Sequence, residues 1–176
     1  MAAWTRAAMS MAAGMAMALA ADVGAVSAQP APAAAHDLMP APAGFEPQAG
    51  QLVVDGRFTL ASTGTADPRI DAALARARQR LAALGVTPSS RAAGAKAALV
   101  VAATGAGKAV QEVGEDESYE LTVDARQARL TAPNPLGVLR GLETFLQLAR
   151  ADAGRVVVPA VRVTDRPRFP WRGLLL

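Results

Sequence analysis

The residues best suited to chemistry lie at the end of the 176-residue chain, where Arg172 follows Pro167 and Pro170. A guanidinium presents five donors in a rigid fork that suits carboxylates or paired hydroxyl groups. The two prolines predict an extended approach, because proline lacks an N–H and pushes the preceding residue out of the α region. Residues 174–176 are three leucines, a run typical of a parallel strand buried on both faces. Arg172 is therefore expected at the mouth of a buried strand, with donors suited to carboxylates or paired hydroxyl groups.

A second candidate is the segment 104–109, which reads Thr-Gly-Ala-Gly-Lys-Ala. A phosphate-binding loop of the Walker type would need Gly in place of Ala102 and Ser or Thr in place of Ala109. A dinucleotide fingerprint would need Gly in place of Val110. We therefore predict a flexible surface loop here, and no cofactor.

Acidic residues cluster at 112–117, but they lack the alternate ligand positions and the central glycine of a calcium loop. We predict that this cluster is a solvated loop. The single histidine, His36, has no cluster of Asp, Glu or Cys near it in sequence, and we expect it to be a solvated linker residue; the chain has no cysteine. Zinc–thiolate sites are thereby excluded, and no metal site is predicted. No carboxylate pair in the chain has the character of a catalytic acid and base.

The charge pattern argues against nucleic-acid binding. The formal net charge is +3 and comes mostly from arginines scattered along the chain. A nucleic-acid-binding domain usually carries a clustered basic face. We predict no nucleic-acid partner.

The first 28 residues have the three regions of a secretory signal peptide. Arg6 gives the positive start, residues 7–21 form an uncharged apolar stretch, and Val26-Ser27-Ala28 supplies small residues at a cleavage site. The apolar stretch is shorter than the roughly 20 residues that span a bilayer, so no membrane span is predicted. We expect cleavage after Ala28 and a periplasmic or secreted protein.

A Pro- and Ala-rich linker and entry segment is predicted for 29–50, followed by an α/β domain over 51–164 and a junction with the first strand of a missing domain over 165–176. Strands are predicted at 51–54 and 58–61, joined as a hairpin by Asp55-Gly56. Further strands are expected at 97–103, 119–123 and 128–130, the last two as a hairpin.

Two helices are predicted, each with a capping residue followed by proline. The first, 67–84, has Asp67 as N-cap and Gly85 as its stop, and its arginines are expected on a solvated face. The second, 134–150, begins at Asn134, and its Gly137 and Gly141 indicate close approach of a neighbouring backbone. The fold class expected is α/β (α+β), a two-layer sandwich with both helices on one face of a mixed or antiparallel sheet.

The ending Asp-x-Pro-Arg-Phe-x-Trp-Arg-Gly-Leu, at 165–174, resembles a junction in glycoside hydrolase family 20, the β-N-acetylhexosaminidases. In that family an N-terminal α/β domain leads into the first strand of a catalytic (β/α)8 barrel. The pattern Gly-x-x-x-Gly-x-x-Thr-x-x-Gln-Leu at 137–148 resembles a helix of the same family. The resemblance covers about 38–176, whereas a barrel alone takes about 250 residues. It implies a chain truncated at the start of the barrel.

The resemblance also implies an activity, the removal of terminal N-acetylglucosamine or N-acetylgalactosamine from glycoconjugates or chitooligosaccharides. In the family, the sugar's own acetamido oxygen attacks the anomeric carbon, an Asp orients that group and a neighbouring Glu is the general acid. Both carboxylates belong to a later barrel strand, beyond Leu176, so we expect this chain alone to be inactive. Arg172 matches the family arginine that hydrogen-bonds the hydroxyls of the terminal sugar, and its alternative role is structural.

Two other functions stay open on the sequence. One is a fragment of a related hyaluronidase or O-GlcNAcase-type enzyme, against which Leu176 argues, since an acidic Glu usually stands there. The other is a free-standing non-catalytic domain that binds a sugar or a protein.

Overall fold

The computed structural model describes residues 36–91 and 94–169. Within these ranges it has seven strands and two α-helices, with a short 3-10 turn at Gly94–Lys96. The strands are β1 Gly44–Val54, β2 Leu60–Gly64, β3 Leu99–Ala103, β4 Tyr119–Val123, β5 Ala128–Ala132, β6 Arg150–Asp152 and β7 Arg155–Asp165; the helices are α1 Pro68–Ala83 and α2 Pro135–Leu148.

The strands form one mixed sheet in the order β1-β7-β4-β5-β3-β2, with β6 pairing along part of β7. Strands β2, β3 and β5 are parallel neighbours, while β1, β7, β4 and β5 are joined by antiparallel pairing. Both helices pack on one face of this sheet, and their apolar side chains share a single core with it. The predicted two-layer fold is confirmed, and the sheet is of the mixed kind.

The opposite face of the sheet is polar at its centre. Glu120 of β4, Arg129 of β5 and Arg162 of β7 are exposed there, and Arg162 Nη2 lies 2.9 Å from Glu120 Oε1. In the described residues no helix is long and apolar enough to cross a membrane.

The hairpin predicted for 51–61 is wrong. Strands β1 and β2 lie at opposite edges of the sheet, although a turn does form, with the Phe58 N–H donating to the Asp55 carbonyl at 2.9 Å. Strand β2 pairs instead with β3, whose Leu99 and Val100 are fully buried. A turn-forming dipeptide such as Asp55-Gly56 sets only the local geometry of the chain. Strand pairing depends instead on burying apolar residues, and β2 lies beside β3 because it covers the free edge of that buried strand.

Residues 155–165 were not among the predicted strands, yet they form β7, an internal strand of the sheet. Its Val156, Val158, Val161 and Val163 belong to the core. Pro159 obscures this pattern in the sequence because proline cannot donate to a strand ladder. It lies opposite Gln51, directly after the register of β1 shifts between Pro47 and Gln51.

Helix α1 begins and ends as predicted. The Asp67 side chain accepts from the Arg69 N–H at 2.8 Å. At the other end, the Gly85 and Val86 N–H groups donate to Ala82 and Leu81 carbonyls, with Gly85 at a φ of 97°. This is the Schellman arrangement, in which glycine adopts the left-handed conformation at little cost.

The predicted close approach of a neighbouring backbone is confirmed at Gly137, whereas at Gly141 the close neighbours are side chains. A Cβ on Gly137 would lie 2.2 Å from the Ser118 carbonyl oxygen, and one on Gly141 would lie 2.2 Å from a Leu130 methyl group. The helix ends at Leu148, earlier than the predicted 150, because Arg150 begins β6 and pairs with Val157.

The hairpin of β4 and β5 is also confirmed. The Asp124 carboxylate closes its turn by accepting from the N–H groups of Arg126 and Gln127, at 2.6 and 2.9 Å. Each N–H donation favours the charged form, which lowers the pKa of Asp124 below its ordinary value.

Candidate functional site

Arg172, the substrate-binding candidate, lies outside the described residues. The structure does describe the path of the chain towards it. Strand β7 ends at Asp165, and residues 166–169 continue beyond the sheet with Phe169 well exposed. We call residues 36–43 and 165–169 the entry–exit junction, because the chain enters and leaves the domain there.

The entry half of the junction is fixed to the domain. Leu38 is 5% exposed and belongs to the core. The Gln147 side-chain amide bonds the Met39 backbone in both directions, accepting from its N–H at 2.9 Å and donating to its carbonyl at 3.0 Å. Of the linker and entry segment predicted for 29–50, the part from His36 is therefore an ordered entry to the domain, and residues 44–50 already belong to β1.

His36 was expected to be a solvated linker residue, and it is instead half-buried. Its ring lies 4.5 Å, centroid to centroid, from that of Phe45, and its Nδ1 accepts from the Leu38 N–H at 3.3 Å. His36 thus packs at the start of β1.

Asp165 joins the two halves of the junction. Its Oδ1 accepts from the Ala43 N–H at 3.0 Å and from the Arg166 N–H at 2.8 Å. Ala43 immediately precedes β1 and Arg166 immediately follows β7. One carboxylate oxygen therefore fixes the incoming and outgoing strands side by side.

A cleft of about 280 Å³ lies between the junction and α2. Tyr119 forms its inner wall and shares a 2.6 Å hydrogen bond with the Thr144 hydroxyl. Burial, with a further contribution from the Asp165 charge, raises the pKa of Tyr119 to about 12. The phenol therefore stays neutral at ordinary pH.

The carboxylates that line the cleft all have partners. Glu117 pairs with Arg140, Glu143 pairs with Arg80, and Asp165 accepts the two backbone N–H groups. These pairings hold the cleft walls and the junction together.

The acidic cluster is more ordered than the predicted solvated loop. The Glu117 side chain is only 11% exposed, and the Glu115 carboxylate accepts from the Lys108 N–H at 3.1 Å. The buried Asn134 donates to the Asp116 carbonyl at 2.7 Å. These bonds tie the loop to the start of α2.

The lysine of the loop at 104–109 also has an acidic partner, since the Lys108 ammonium forms a salt bridge with Glu112. Across the described ranges, no three His, Cys, Asp or Glu side chains are grouped so that they could hold a metal ion.

The roles of Asp165, Thr144 and Gln147 at the junction did not emerge from the sequence. A signal for them was present, since Thr144 and Gln147 are two of the named positions in the helix pattern and Asp165 opens the terminal pattern. The sequence does not show that they converge, because their partners at Tyr119, Met39 and Ala43 are distant along the chain.

The described domain, together with the entry–exit junction, corresponds to a known protein family. Residues 35–166 match the family model described as glycosyl hydrolase family 20, domain 2. The chain belongs to glycoside hydrolase family 20.

Individual relatives agree with this assignment. The chain is 45% identical over 69 residues to the β-hexosaminidase subunit beta of Rattus norvegicus, a match that covers 39% of this chain and 13% of that protein. It is 39% identical over 67 residues to the β-hexosaminidase subunit A1 of Dictyostelium discoideum, covering 37% and 13%. These matches take in about an eighth of the relatives' length.

Solved structures show the same fold. The chitobiase of Flavobacterium johnsoniae superimposes with a TM-score of 0.71 at 34% identity, covering 79% of this chain and 22% of that one. The Streptomyces plicatus N-acetyl-β-hexosaminidase shares the fold with a TM-score of 0.58 at 24% identity, covering 77% and 27%.

Proposed function

We propose that this chain is the N-terminal part of an exported β-N-acetylhexosaminidase, in which the described domain supports catalysis without supplying its acid or base. The observation that carries the proposal is the family match over residues 35–166. This match ends where the 165–174 sequence pattern that contains Arg172 begins. The β-hexosaminidase names of the relatives support the substrate class, N-acetylhexosaminides.

The proposed reaction is hydrolysis with retention, assisted by the substrate. The 2-acetamido oxygen attacks the anomeric carbon while a Glu protonates the departing glycosidic oxygen, and water then opens the cyclic intermediate. The Glu and the Asp that orients the acetamido group are proposed to follow Leu176. This agrees with the paired state of the carboxylates in the cleft.

Arg172 is the residue of this chain proposed to touch the sugar. A guanidinium can donate two hydrogen bonds to neighbouring hydroxyl groups of a terminal sugar ring. Removing such a donor leaves polar groups of the bound sugar unpaired, which costs about 1–3 kcal/mol.

The test uses the complete protein of which this chain is the N-terminal part. It is expected to hydrolyse a chromogenic N-acetylglucosaminide and to leave the matched glucoside intact, because the glucoside lacks the attacking acetamido oxygen. Equal hydrolysis of both substrates would refute the assisted mechanism. Hydrolysis of neither would favour a non-catalytic binding protein.

Export is proposed from the charged start, apolar stretch and small residues of 1–28. The mature protein from the native host is expected to begin at Gln29 outside the cytoplasm. N-terminal sequencing that returned Met1 would contradict this.

A further inference from the structure

We propose that a groove beside the free edge of β2 binds the carboxyl-terminal end of an extended peptide, whose backbone pairs with β2 and whose terminal carboxylate bonds Arg78 and Arg91. The groove has a volume of about 410 Å³ and lies between β2, one face of α1 and the described residues Ser90, Arg91 and Gly94. It shares no lining residue with the cleft at the entry–exit junction, and the inference does not depend on the proposed catalytic role.

Strand β2 is an edge strand with backbone groups that remain open to a partner. The Thr59 carbonyl accepts from β3 at 2.9 Å and the Thr65 N–H donates to β3 at 3.0 Å, so the odd-numbered residues of this segment face β3. The even-numbered residues therefore direct their N–H and C=O groups the other way. At the exposed Ser62 these groups point to the open edge, where an added strand can pair with them.

The groove is closed at the start of β2. The Ser89 N–H donates to the Phe58 carbonyl at 2.8 Å, so the edge is already occupied there. One step along, the Leu60 carbonyl accepts from Arg78 Nη2 at 3.0 Å. A strand that pairs with Ser62 cannot extend past Leu60, so only the end of a chain fits at this position.

The closed end of the groove is positively charged. Arg78 is half-buried there, whereas the arginines of α1 were expected on a solvated face, and Arg91 also lines the groove. In the described part of the chain neither forms an ion pair, and the buried Arg78 Nε has no hydrogen-bond partner. A buried charged donor without an acceptor is costly, and a carboxylate would give the guanidinium the acidic partner that it lacks.

The charge at the two ends sets the direction of the peptide. Asp71 lines the groove seven residues before Arg78, about 10 Å away along the axis of α1, with the buried Leu74 between them. An antiparallel strand on β2 would bring its carboxylate to Arg78, while a parallel strand would bring an ammonium group there. The antiparallel direction is therefore the one that the groove favours.

The test uses the 176-residue chain and a pool of N-acetylated hexapeptides of randomised sequence, prepared once as free acids and once as carboxyl-terminal amides. Mass spectrometry measures how much of each pool is retained on the immobilised chain. The free acids are expected to be retained at least about tenfold more than the amides, because charge-assisted hydrogen bonds to a carboxylate are strong. Equal retention of the two pools, or retention of neither, would overturn the proposal.

Replacing Arg78 tests the charged end of the groove. In Arg78→Gln, the affinity of the best-retained free acid, measured by isothermal titration calorimetry, is expected to fall about 10- to 100-fold. Arg76→Gln is the matched control, because Arg76 is exposed on the same helix and does not line the groove, and its affinity is expected to be unchanged. An equal loss in both variants would mean that the peptide senses only net charge, and the proposal would be wrong.

Circular dichroism establishes whether Arg78→Gln is folded. If it is not, the exposed Arg91 decides the question, because Arg91→Gln is expected to lower the affinity about 3- to 10-fold. Unchanged affinity in Arg91→Gln would then refute the assignment.

Replacing Ser62 by proline tests the strand pairing. Proline removes the outward N–H of Ser62 and spares the bonds to β3, which the odd-numbered residues make. The peptide affinity is expected to fall about 3- to 10-fold. If it does not fall, the peptide does not pair with β2 and the inference fails.

Two other occupants of the groove are outcomes of the same measurements. Acetate that bound as tightly as the best-retained peptide would show that the arginines hold a free anion and that β2 takes no part. A dimer that dissociated in Ser62→Pro, seen by sedimentation velocity, would place a second copy of the chain in the groove. Either result would overturn the proposal, which expects weaker binding of acetate and sedimentation unaffected by Ser62→Pro.

Discussion

Replacing Gly137 by alanine tests whether the helix and sheet layers are as close as the structure shows. The added Cβ would lie 2.2 Å from the Ser118 carbonyl oxygen and 2.8 Å from the Ala132 Cβ. Both belong to the strand side, and neither is the end of a flexible side chain, so α2 has to move away from the sheet. Overpacking of this kind costs about 3 kcal/mol, while alanine gains about 1 kcal/mol of helix propensity over glycine.

The expected net loss for Gly137→Ala is therefore about 2 kcal/mol in the free energy of unfolding. That corresponds to a melting temperature lower by about 5–10 °C for a domain of this size. Urea unfolding of the 176-residue chain, followed by far-ultraviolet circular dichroism, measures the change directly.

Two further glycines serve as comparisons for that experiment. At Gly141 the nearest atoms are a Leu130 methyl group at 2.2 Å and the Tyr119 ring at 2.8 Å, so Gly141→Ala with Leu130→Val, which shortens the nearer side chain, is expected to be less destabilised than Gly141→Ala alone. At Gly56 the nearest atom lies 4.0 Å away, and Gly56→Ala is expected to be close to neutral. A stabilising effect of Gly137→Ala would refute the reasoning, because the gain in helix propensity would then exceed the cost of the steric contact between the new Cβ and the Ser118 carbonyl.

Two more predictions concern the same core. Asn134→Ala is expected to lower the free energy of unfolding by about 2 kcal/mol, because the buried amide caps the Leu136 and Gly137 N–H groups and bonds the Asp116 carbonyl. Asn134→Asp should lower it less, since aspartate retains the cap. Thermal unfolding of the two variants measures the difference. The pKa of Tyr119 is raised from 10.0 to about 12, so its stabilising contribution is complete below about pH 10 and is lost as pH rises towards 12. A pH series of unfolding free energies should show a loss of about 2 kcal/mol that is absent in Tyr119→Phe, and parallel curves would refute the assignment.

Local signals in the sequence predicted local structure well. Asp67 and Asn134, each followed by proline, mark the starts of both helices, and Gly85 marks the end of the first, because caps and stops act within a few residues. The alternation at 119–123 and 128–130 likewise predicted a real hairpin.

Long-range pairing could not be read in the same way. Asp55-Gly56 forms its turn, but β2 pairs with β3. That choice depends on burying β3 residues such as Val100 between two neighbouring strands, which a short stretch of sequence does not show. Strand β7 was missed because Pro159 interrupts its pattern, and the ordered entry segment was missed because its fixing partner, Gln147, is more than a hundred residues away.

The candidate site was predictable only in its terminal residue. The types and spacing of residues 165–174 indicate a junction and single out Arg172. The entry–exit junction depends on contacts between Asp165 and Ala43 and between Tyr119 and Thr144, which arise only once the sheet has formed.

The proposal that this domain supports a catalytic part, without itself catalysing, has a direct test. The most direct measurement compares the purified 176-residue chain with the complete protein, at equal molar concentration, on a chromogenic N-acetylglucosaminide. We expect turnover by the complete protein and none above background by the short chain, because the acid and its partner are proposed to follow Leu176. Hydrolysis by the short chain would contradict it.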